Sequence, residues 1–435
     1  MHRLRLVAVV LLLALAGAAC GDDGSDTTTT TESATTTTAA PAGAIEDEVA
    51  TLVAAAERVR GLEFLDEPTL TFLTPEELAE RIRTDLSEDI DPDDIADEEA
   101  LLELLGLIGP DLDLLEAYTS LYAEQVAAFY DPDTREMVVG SAEEATPLTR
   151  SIVVHELIHA LVDQHYGFGA ELDRLVDEER FHEATALQAL VEGDATYFQI
   201  VYLQSLPSED QLSAARESLL ADTSVLDSLP PFMGRDLAFP YDSGFRFVER
   251  VVADLGLEGV DQAYRRPPTT TEQIIDPDRW FTLEPGIDVE LDVPLPGWDV
   301  ALEGTLGQWN LGNYLLAEAG EGVSTIATDG WGGDAFEVLR SGDGTTLVYR
   351  YVGDTPRDAA EVFDGLVASL GTLLGDPAPA TTGPGEDDDP ALVPSTAVFD
   401  GRIDATVERL GADLVLVVST DVDVVQQLAE ALSFD

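Results

Sequence analysis

The stretch His155-Glu156-Leu157-Ile158-His159 matches the pattern H-E-x-x-H, and the interpretation of the whole chain starts from it. Residues four apart on an α-helix lie on nearly one face, so His155 and His159 can offer imidazole nitrogens to one metal ion. Glu156 projects to the side, where it can reach a water molecule without binding the metal itself. The motif therefore predicts half of a catalytic zinc site.

The residues around the motif predict that its helix is buried. Thr146 followed by Pro147 is typical of a helix N-cap and first helical residue. From Ile152 to Val162 only the two histidines and the glutamate of the motif are polar. Burying three polar side chains without partners costs about 1–3 kcal/mol each, and a bound cation would remove that cost.

Catalytic zinc usually has three protein ligands and an open fourth position, so a third ligand is expected downstream. Glu192 is the best candidate, with Asp194, Glu183 and His182 as alternatives. Gly193 weakens a helix here, which is understandable if the backbone must approach the site closely. The surrounding apolar residues recur at helical spacing: Phe181, Ala184, Leu187, Val191, Ala195 and Phe198.

The H-E-L-I-H motif followed by a helix carrying V-E-G-D-A resembles the gluzincin clan of zinc metallopeptidases. In that clan the third ligand is a Glu, often followed by Gly and shortly afterwards by Ala. Glu192, Gly193 and Ala195 match this pattern. The resemblance implies that His155, His159 and Glu192 bind Zn²⁺ and that Glu156 is the catalytic base.

The chain departs from the clan at one position. Many gluzincins carry an Asp four residues after the ligand Glu, and that position is Thr196 here. Metal-binding imidazoles usually donate their other N–H to an acceptor that orients them. Asp163, one turn after the motif, and Asp194 are the two candidates for that acceptor, and the choice stays open.

A second block, Phe239 to Val248, resembles the Tyr-x-x-Gly segment of aminopeptidase-like gluzincins. In those enzymes the Tyr hydrogen-bonds the oxyanion that develops during hydrolysis. Tyr241 matches it and is expected to be the second catalytic residue, since a neutral phenol is a suitable donor. The alternatives for this role are Tyr166, Tyr197 and His165, and a plain core tyrosine is also compatible with the pattern.

Further blocks resemble a group of poorly characterised bacterial gluzincin-like proteins that are mostly secreted or lipid-anchored. The resemblance covers roughly residues 45 to 370, and only the zinc motifs in it are specific about chemistry. The other shared blocks are Arg60-Gly61-Leu62, Phe129 to Thr134, Pro267 to Gln273 and Gly330 to Asp334.

The implied function is zinc-dependent hydrolysis of a peptide bond at the bacterial cell surface, with zinc activating a water molecule and Glu156 accepting its proton. Val126 to Gly140 has the pattern of a strand, a turn and a second strand. Such an edge can bind an extended peptide by strand addition, so a peptide or protein substrate is expected. The alternative is a catalytically silent lipoprotein that acts as a binding or maturation factor. Exopeptidase or endopeptidase action and oligomeric state stay open.

The N-terminus predicts export. Arg3 and Arg5 precede the apolar run Leu6 to Ala16, which is too short for an ordinary membrane-spanning helix. Residues 1–20 are therefore interpreted as a signal peptide that ends at Cys20, the chain's only cysteine and the expected site of lipid attachment. A lipobox usually has Leu where Gly17 stands, so secretion without the anchor is the alternative.

The chain is predicted to be an α+β protein with two folded units. Residues 21–43 are rich in Thr and Asp and are expected to form a disordered tether. Residues 44–292 are expected to form a mainly helical, zincin-like domain with a small sheet and a two-helix zinc site. Residues 293–435 are expected to form a smaller α+β domain. Within the first unit, single helices are expected over 98–128 and 242–264.

The charge of the chain restricts its partners. The formal net charge is −64, from 86 acidic residues against 22 basic residues, all of them Arg. Nucleic acid and anionic lipid would be repelled by such a surface, so neither is expected as a partner. A membrane association would therefore depend on the lipid at Cys20.

Overall fold

The computed structural model describes residues 8–11, 45, 48–140, 145–221, 223–378 and 395–434. Cys20 and the predicted tether lie outside these residues. Over the described ranges, no helix is both long enough and apolar enough to span a membrane. The protein is mixed α and β, which confirms the predicted α+β class.

The part of the chain before residue 283 is mainly helical and contains the H-E-x-x-H motif. Its elements in chain order are β1 (Ala8–Leu11), α1 (Val49–Arg60), β2 (Thr69–Leu73), α2 (Pro75–Asp89), α3 (Pro92–Leu104), α4 (Leu114–Gln125), β3 (Val126–Asp131), β4 (Glu136–Gly140), α5 (Pro147–Tyr166), α6 (Phe168–Asp177), α7 (Phe181–Ser205), α8 (Ser208–Leu219), α9 (Ser224–Ser228), α10 (Pro231–Leu255), α11 (Leu257–Arg265), α12 (Thr271–Ile275) and α13 (Pro277–Thr282).

The remaining part is built on a six-stranded antiparallel sheet in the order β5-β6-β7-β10-β9-β8. Helices α14 and α16 cover one face of this sheet, and α17 covers the other. The elements are β5 (Asp299–Gly304), α14 (Gly307–Ala319), α15 (Glu321–Thr328), β6 (Trp331–Ser341), β7 (Gly344–Gly353), α16 (Pro356–Leu374), β8 (Ser395–Phe399), β9 (Asp404–Leu410), β10 (Asp413–Ser419) and α17 (Val422–Leu432).

The two parts share packing surfaces. Leu101, Leu104 and Leu105, from α3 and its C-cap, belong to the same hydrophobic core as Phe336 and Val338 of β6. A second contact joins the two parts, because α14 of the second part packs on α10 of the first. The helical part and the large sheet therefore form one continuous body of packed side chains.

The small sheet has the order β1-β3-β4-β2 and contains the predicted hairpin. Strands β3 and β4 are antiparallel, and Asp131 orders their turn by accepting hydrogen bonds from the backbone N–H groups of Asp133 and Thr134. Strand β1, which belongs to the predicted signal peptide, pairs antiparallel with β3. Strand β3 therefore has a neighbour on each side, with β1 along its outer edge.

Helix α5 has the start and the burial that the sequence predicts. The side chain of Thr146 accepts a hydrogen bond from the backbone N–H of Thr149 at 3.1 Å, and Pro147 is the first helical residue. Every residue from Ser151 to Asp163 is buried. The helix ends at Tyr166, and its C-cap residue Gly167 has a φ of 65°, the left-handed conformation common at helix C-termini.

Helices α7 and α10 cross at two glycines. A Cβ atom on Gly244 would overlap the carbonyl oxygen of Ala189, and one on Gly193 would overlap the backbone of Gly244. The sequence predicted a close approach of the backbone to the site at Gly193, and the structure shows a close approach to the backbone of α10. This contact brings Glu192, which immediately precedes Gly193, near Tyr241, which lies three residues before Gly244.

Two spans predicted as single helices are each divided in two. The span 98–128 is divided between α3 and α4, with Gly106 at φ 76° in the connection. The span 242–264 is divided between α10 and α11 at Gly256, whose φ is 70°. Helix α10 also begins earlier, at Pro231, and continues through Pro240, because its packing on α7 outweighs the usual cost of an internal proline.

We expect Gly244→Ala to destabilise the protein by about 1–3 kcal/mol or more, because its methyl group would overlap backbone that cannot move aside without separating α7 from α10. The matched control is Gly371→Ala on α16, where an added Cβ meets nothing within 4 Å. The control should gain up to about 1 kcal/mol from the better helix propensity of alanine. Chemical denaturation of both variants checks this, and equal stabilities would contradict it.

Candidate metal centre

His155 and His159 on α5 meet Glu192 on α7 in the interior of the protein. Their side chains are 1%, 0% and 0% exposed. The Nε2 atoms of His155 and His159 lie 3.2 Å and 3.4 Å from Glu192 Oε2. One ligand atom from each residue lies within 4.8 Å of the other two, and no other such group of His, Cys, Asp or Glu occurs in the described part of the chain.

These distances fit a single small cation. Zinc bonds of about 2.0–2.1 Å arranged tetrahedrally separate neighbouring ligand atoms by about 3.3 Å. Within the described residues, Glu192 Oε1 and both ring nitrogens of His159 have no hydrogen-bond partner. Buried polar atoms without partners are costly, and a shared cation would satisfy them. The His155, His159 and Glu192 group can therefore bind a metal ion.

The buried surroundings favour the ligand forms of these side chains. Burial lowers the pKa of His155. For Glu192, burial alone would raise the pKa, but the neighbouring His159 and His155 hold it below its usual value. A neutral imidazole and an ionised carboxylate are the forms that bind metal ions.

Glu156 lies next to the three ligands and is fully buried. Burial, together with the nearby Glu192 carboxylate, raises the pKa of Glu156 well above its usual value, although the backbone of Tyr130 in β3 acts in the opposite direction. A carboxylate with a raised pKa is a stronger base. Glu156 is thus a strengthened base beside the candidate metal position.

Gln199, on α7 two turns after Glu192, was not predicted as part of the site. Its Oε1 lies 3.2 Å from His155 Nδ1, and its Nε2 donates to Ser151 Oγ at 3.2 Å. Ser151 Oγ in turn donates to the carbonyl oxygen of Leu148 at 2.7 Å. The side chains of His155, Gln199 and Ser151 are all buried.

This chain of hydrogen bonds fixes the proton on His155. Because the Ser151 hydroxyl proton is directed to Leu148, its oxygen accepts from the Gln199 amide, which turns Gln199 Oε1 toward His155. His155 Nδ1 must then donate to that oxygen, so Nε2 carries a lone pair. Nε2 faces Glu192 Oε2, and two acceptors 3.2 Å apart repel each other unless a cation lies between them.

The two acids predicted to orient the imidazoles have other partners. Asp163 accepts hydrogen bonds from Tyr130 Oη at 2.9 Å and from the backbone N–H of Gly169 at 3.0 Å. Asp194 accepts from Arg60 Nε at 3.0 Å. In the portion of the chain that the structure describes, no hydrogen bond joins either acid to His155 or His159.

The ion pair of Arg60 and Asp194 joins α1 to the ligand helix α7. Both side chains are almost completely buried, and Arg60 also contacts Asp261 at 2.9 Å. Breaking a buried pair by removing one partner leaves an uncompensated charge, which typically costs about 3–5 kcal/mol. The block Arg60-Gly61-Leu62, for which the sequence indicated no role, thus anchors α1 to α7 two residues after Glu192.

Tyr241 brings a third helix, α10, to the site. Its ring stacks on His155, with centroids 6.3 Å apart and an angle of 29° between the planes. Burial, followed by the charges of Glu192 and Glu156 and a hydrogen bond with Glu192, raises the pKa of Tyr241 well above its usual value. The phenol is therefore neutral and able to donate.

The alternative candidates for the Tyr241 role have partners elsewhere. Tyr166 stacks on Tyr264 at 4.9 Å, and Tyr197 packs against Phe198. The half-buried His165 contacts the carbonyl oxygen of Glu63 at 2.8 Å.

The remaining candidates for the third metal ligand lie away from the two histidines of the motif. Glu183 forms a surface ion pair with Arg180. His182 packs against Gly307 and the ring of Trp331. Asp194 pairs with Arg60, so Glu192 is the acid that meets both histidines.

Comparison with known proteins covers only the second part of the chain. A family model described as a domain of unknown function, DUF8575, matches residues 299–429, or 131 of the 435 residues. No curated protein and no solved structure matches. The matched region contains the six-stranded sheet, and all three candidate metal ligands precede it.

We expect Gln199→Leu to weaken the binding of added Zn²⁺ to this candidate centre by roughly 10–100-fold, because His155 would lose the acceptor that fixes its proton and its ring orientation. The matched control is Gln204→Leu, an exposed glutamine on the same helix. Competition with a chromophoric chelator measures both affinities. Equal affinities in the two variants would show that Gln199 has no positioning role.

Proposed function

We propose that this protein is a zinc-dependent peptide-bond hydrolase with a gluzincin-like site. One observation carries the proposal: the two histidines of α5 and Glu192 of α7 converge on one buried point, with Glu156 beside them. Two imidazoles and one carboxylate form a donor set typical of catalytic zinc, which would keep a fourth position for water. A mainly helical part with a small sheet beside two ligand helices also supports a zincin-like fold.

Zinc at this point would polarise a carbonyl group and acidify a water molecule. Glu156 accepts the proton of the attacking water, a role that its raised pKa favours. The same carboxyl group then returns the proton to the departing amine. Gln199 keeps the ring of His155 in a single orientation throughout.

Tyr241 donates a hydrogen bond to the carbonyl oxygen of the substrate as negative charge develops on it. Its position against the ring of His155, a proposed metal ligand, supports this role. A pKa well above the usual value keeps the donor protonated at neutral pH. Glu156 thus transfers the proton, while Tyr241 stabilises the developing oxyanion.

The substrate proposed is an extended peptide that adds to the edge of β3. Ala8–Leu11 already pairs antiparallel along β3, with Ala8 opposite Tyr130. The backbone of Tyr130 also lies beside Glu156, so a strand on this edge passes close to the base. Removal of the proposed signal peptide would leave the edge available to a substrate backbone.

The proposed location is the outer side of the bacterial membrane, with a lipid on Cys20 and a tether over residues 21–43. Secretion after cleavage of the signal peptide is the alternative. The acidic composition supports a partner other than nucleic acid.

The deciding experiment compares the wild type with Glu156→Gln. We expect the variant to keep about one zinc per chain, because Glu156 is not a ligand, while hydrolysis of a mixed peptide library falls by roughly 10²–10⁴-fold. Metal content is measured by mass spectrometry, and cleavage is measured with and without a chelator.

Glu183→Gln, on the surface of the ligand helix, is the matched control and should keep full activity. Glu192→Gln should lose the zinc. A wild-type protein that binds zinc and cleaves no peptide would contradict hydrolysis and favour a catalytically silent binding or maturation factor. A wild-type protein without zinc would contradict the metal centre itself.

For Tyr241→Phe we expect a decrease in kcat of roughly 10²-fold, with zinc content unchanged, because one donor to the developing oxyanion is removed. Tyr197→Phe removes a hydroxyl from the neighbouring helix without touching the site and should keep kcat within about 2-fold. A decrease in Tyr197→Phe alone would show that the role belongs to Tyr197 instead. Steady-state kinetics on a library-derived peptide separate kcat from KM.

A further inference from the structure

A second polar site lies far from the metal centre, where the end of α6 meets the outer strands of the large sheet. It is a cleft of about 330 Å³. Glu178 and Glu179 line one side, and Glu303 of β5 and Glu337 of β6 line the other. Among the described residues, no basic side chain lines it.

The pairing of β5 with β6 places two of these carboxylates together. Glu303 and Glu337 are direct partners in the antiparallel register, so their side chains project from the same face of the sheet. Like charges directly opposite each other in a sheet are destabilising. The fold therefore maintains a repulsive pair of carboxylates at the wall of the cleft.

Glu337 is the most unusual member of the pair. It is only 8% exposed, and within the described ranges its carboxylate has no hydrogen-bond or ion-pair partner. Burial, followed by the charges of Glu303 and Asp292, raises its pKa. The facing carboxylates of Glu337 and Glu303 repel each other, and a positive charge in the cleft would offset that repulsion.

The basic side chains around the cleft are already engaged. Arg174 and Arg180 pair with Glu178 at 2.5 Å and 3.4 Å. Arg350, on β7, pairs with Asp413 at 3.0 Å. The positive charge that would complete the cleft must therefore come from another molecule.

The spacing of the carboxylates excludes a small metal ion held by three of them. In the described part of the chain, only the metal centre brings three ligand atoms within 4.8 Å of one another. A guanidinium or ammonium group carries several N–H donors that can reach separated carboxylates. Val289, Leu291 and Phe336 complete the lining and suit the methylene stem of such a group.

We propose that this cleft binds the basic side chain, arginine or lysine, of a peptide. Phe181, which follows the cleft at the start of α7, precedes Glu192 by eleven residues, which is about 16 Å along the helix. The cleft therefore contacts no reacting atom. The cleft holds a part of the peptide that is distant from the hydrolysed bond, and this binding does not depend on hydrolysis.

The test measures binding of labelled acetyl-Arg-Arg-amide by fluorescence anisotropy on the full chain carrying Glu156→Gln, so that hydrolysis does not interfere. We expect Glu303→Gln/Glu337→Gln to weaken binding by roughly 10-fold or more, since two charge-assisted contacts are lost. The matched control, Glu209→Gln/Glu258→Gln, removes two exposed charges elsewhere and should stay within about 2-fold. Without the probe, the Tm of the first pair should be equal to or above that of the parent.

Several results would overturn the proposal. If both double variants lose affinity for the probe equally, binding depends on the overall charge of the protein. If Glu303→Gln/Glu337→Gln keeps its affinity, the cleft is not the binding site. Equal binding of acetyl-citrulline-citrulline-amide would exclude recognition of charge. Displacement of the probe by stoichiometric Ca²⁺ would identify a metal site, and tighter binding of spermidine would identify a free polyamine. Glu303→Gln alone, at an exposed position, repeats the test if the double variant does not fold.

Discussion

The contact between α7 and α10 at Gly193 and Gly244 is the constraint on which the candidate site depends. Two backbones lie in direct contact there, and no side chain larger than hydrogen fits between them. Because Glu192 immediately precedes one glycine and Tyr241 lies three residues before the other, this contact sets the distance between a candidate metal ligand and the proposed oxyanion donor. The Arg60–Asp194 pair fixes the same stretch of α7 to α1. The ligand helix is thus held by two neighbouring helices independently of any bound ion.

The buried polar side chains around the site differ in how the cost of their burial is compensated. Two sets of polar side chains surround the site. Asp163 and Gln199 are hydrogen-bonded to protein partners, whereas within the described residues the ring nitrogens of His159 and the Oε1 atom of Glu192 have no hydrogen-bond partner. The first set gives the second a rigid surrounding, so little reorganisation would accompany ion binding.

The parts of the structure that the sequence predicted are those that depend on local periodicity. The burial of α5, its Thr146 cap and the hairpin over Val126 to Gly140 follow from spacing within a few residues, and the ligand triad follows from a motif. Gln199 could not be predicted as a partner of His155, because a glutamine on a helix is ordinarily a surface residue and nothing local marks this one. The short edge strands β2 and β5 were missed because they are defined by pairing with distant strands. Glu303 and Glu337 likewise become neighbours only through the β5–β6 register.

The packing of α3 has a consequence for how the chain can be divided. Leu101, Leu104 and Leu105 come from the first part of the sequence, yet they complete the core beneath the large sheet. A fragment that began at residue 299, where the family match begins, would leave the sheet face under α3 exposed to water. A fragment that ended at residue 292 would expose the three leucines instead. The boundary drawn by sequence similarity therefore does not coincide with a unit of cooperative unfolding, and the two parts should melt together.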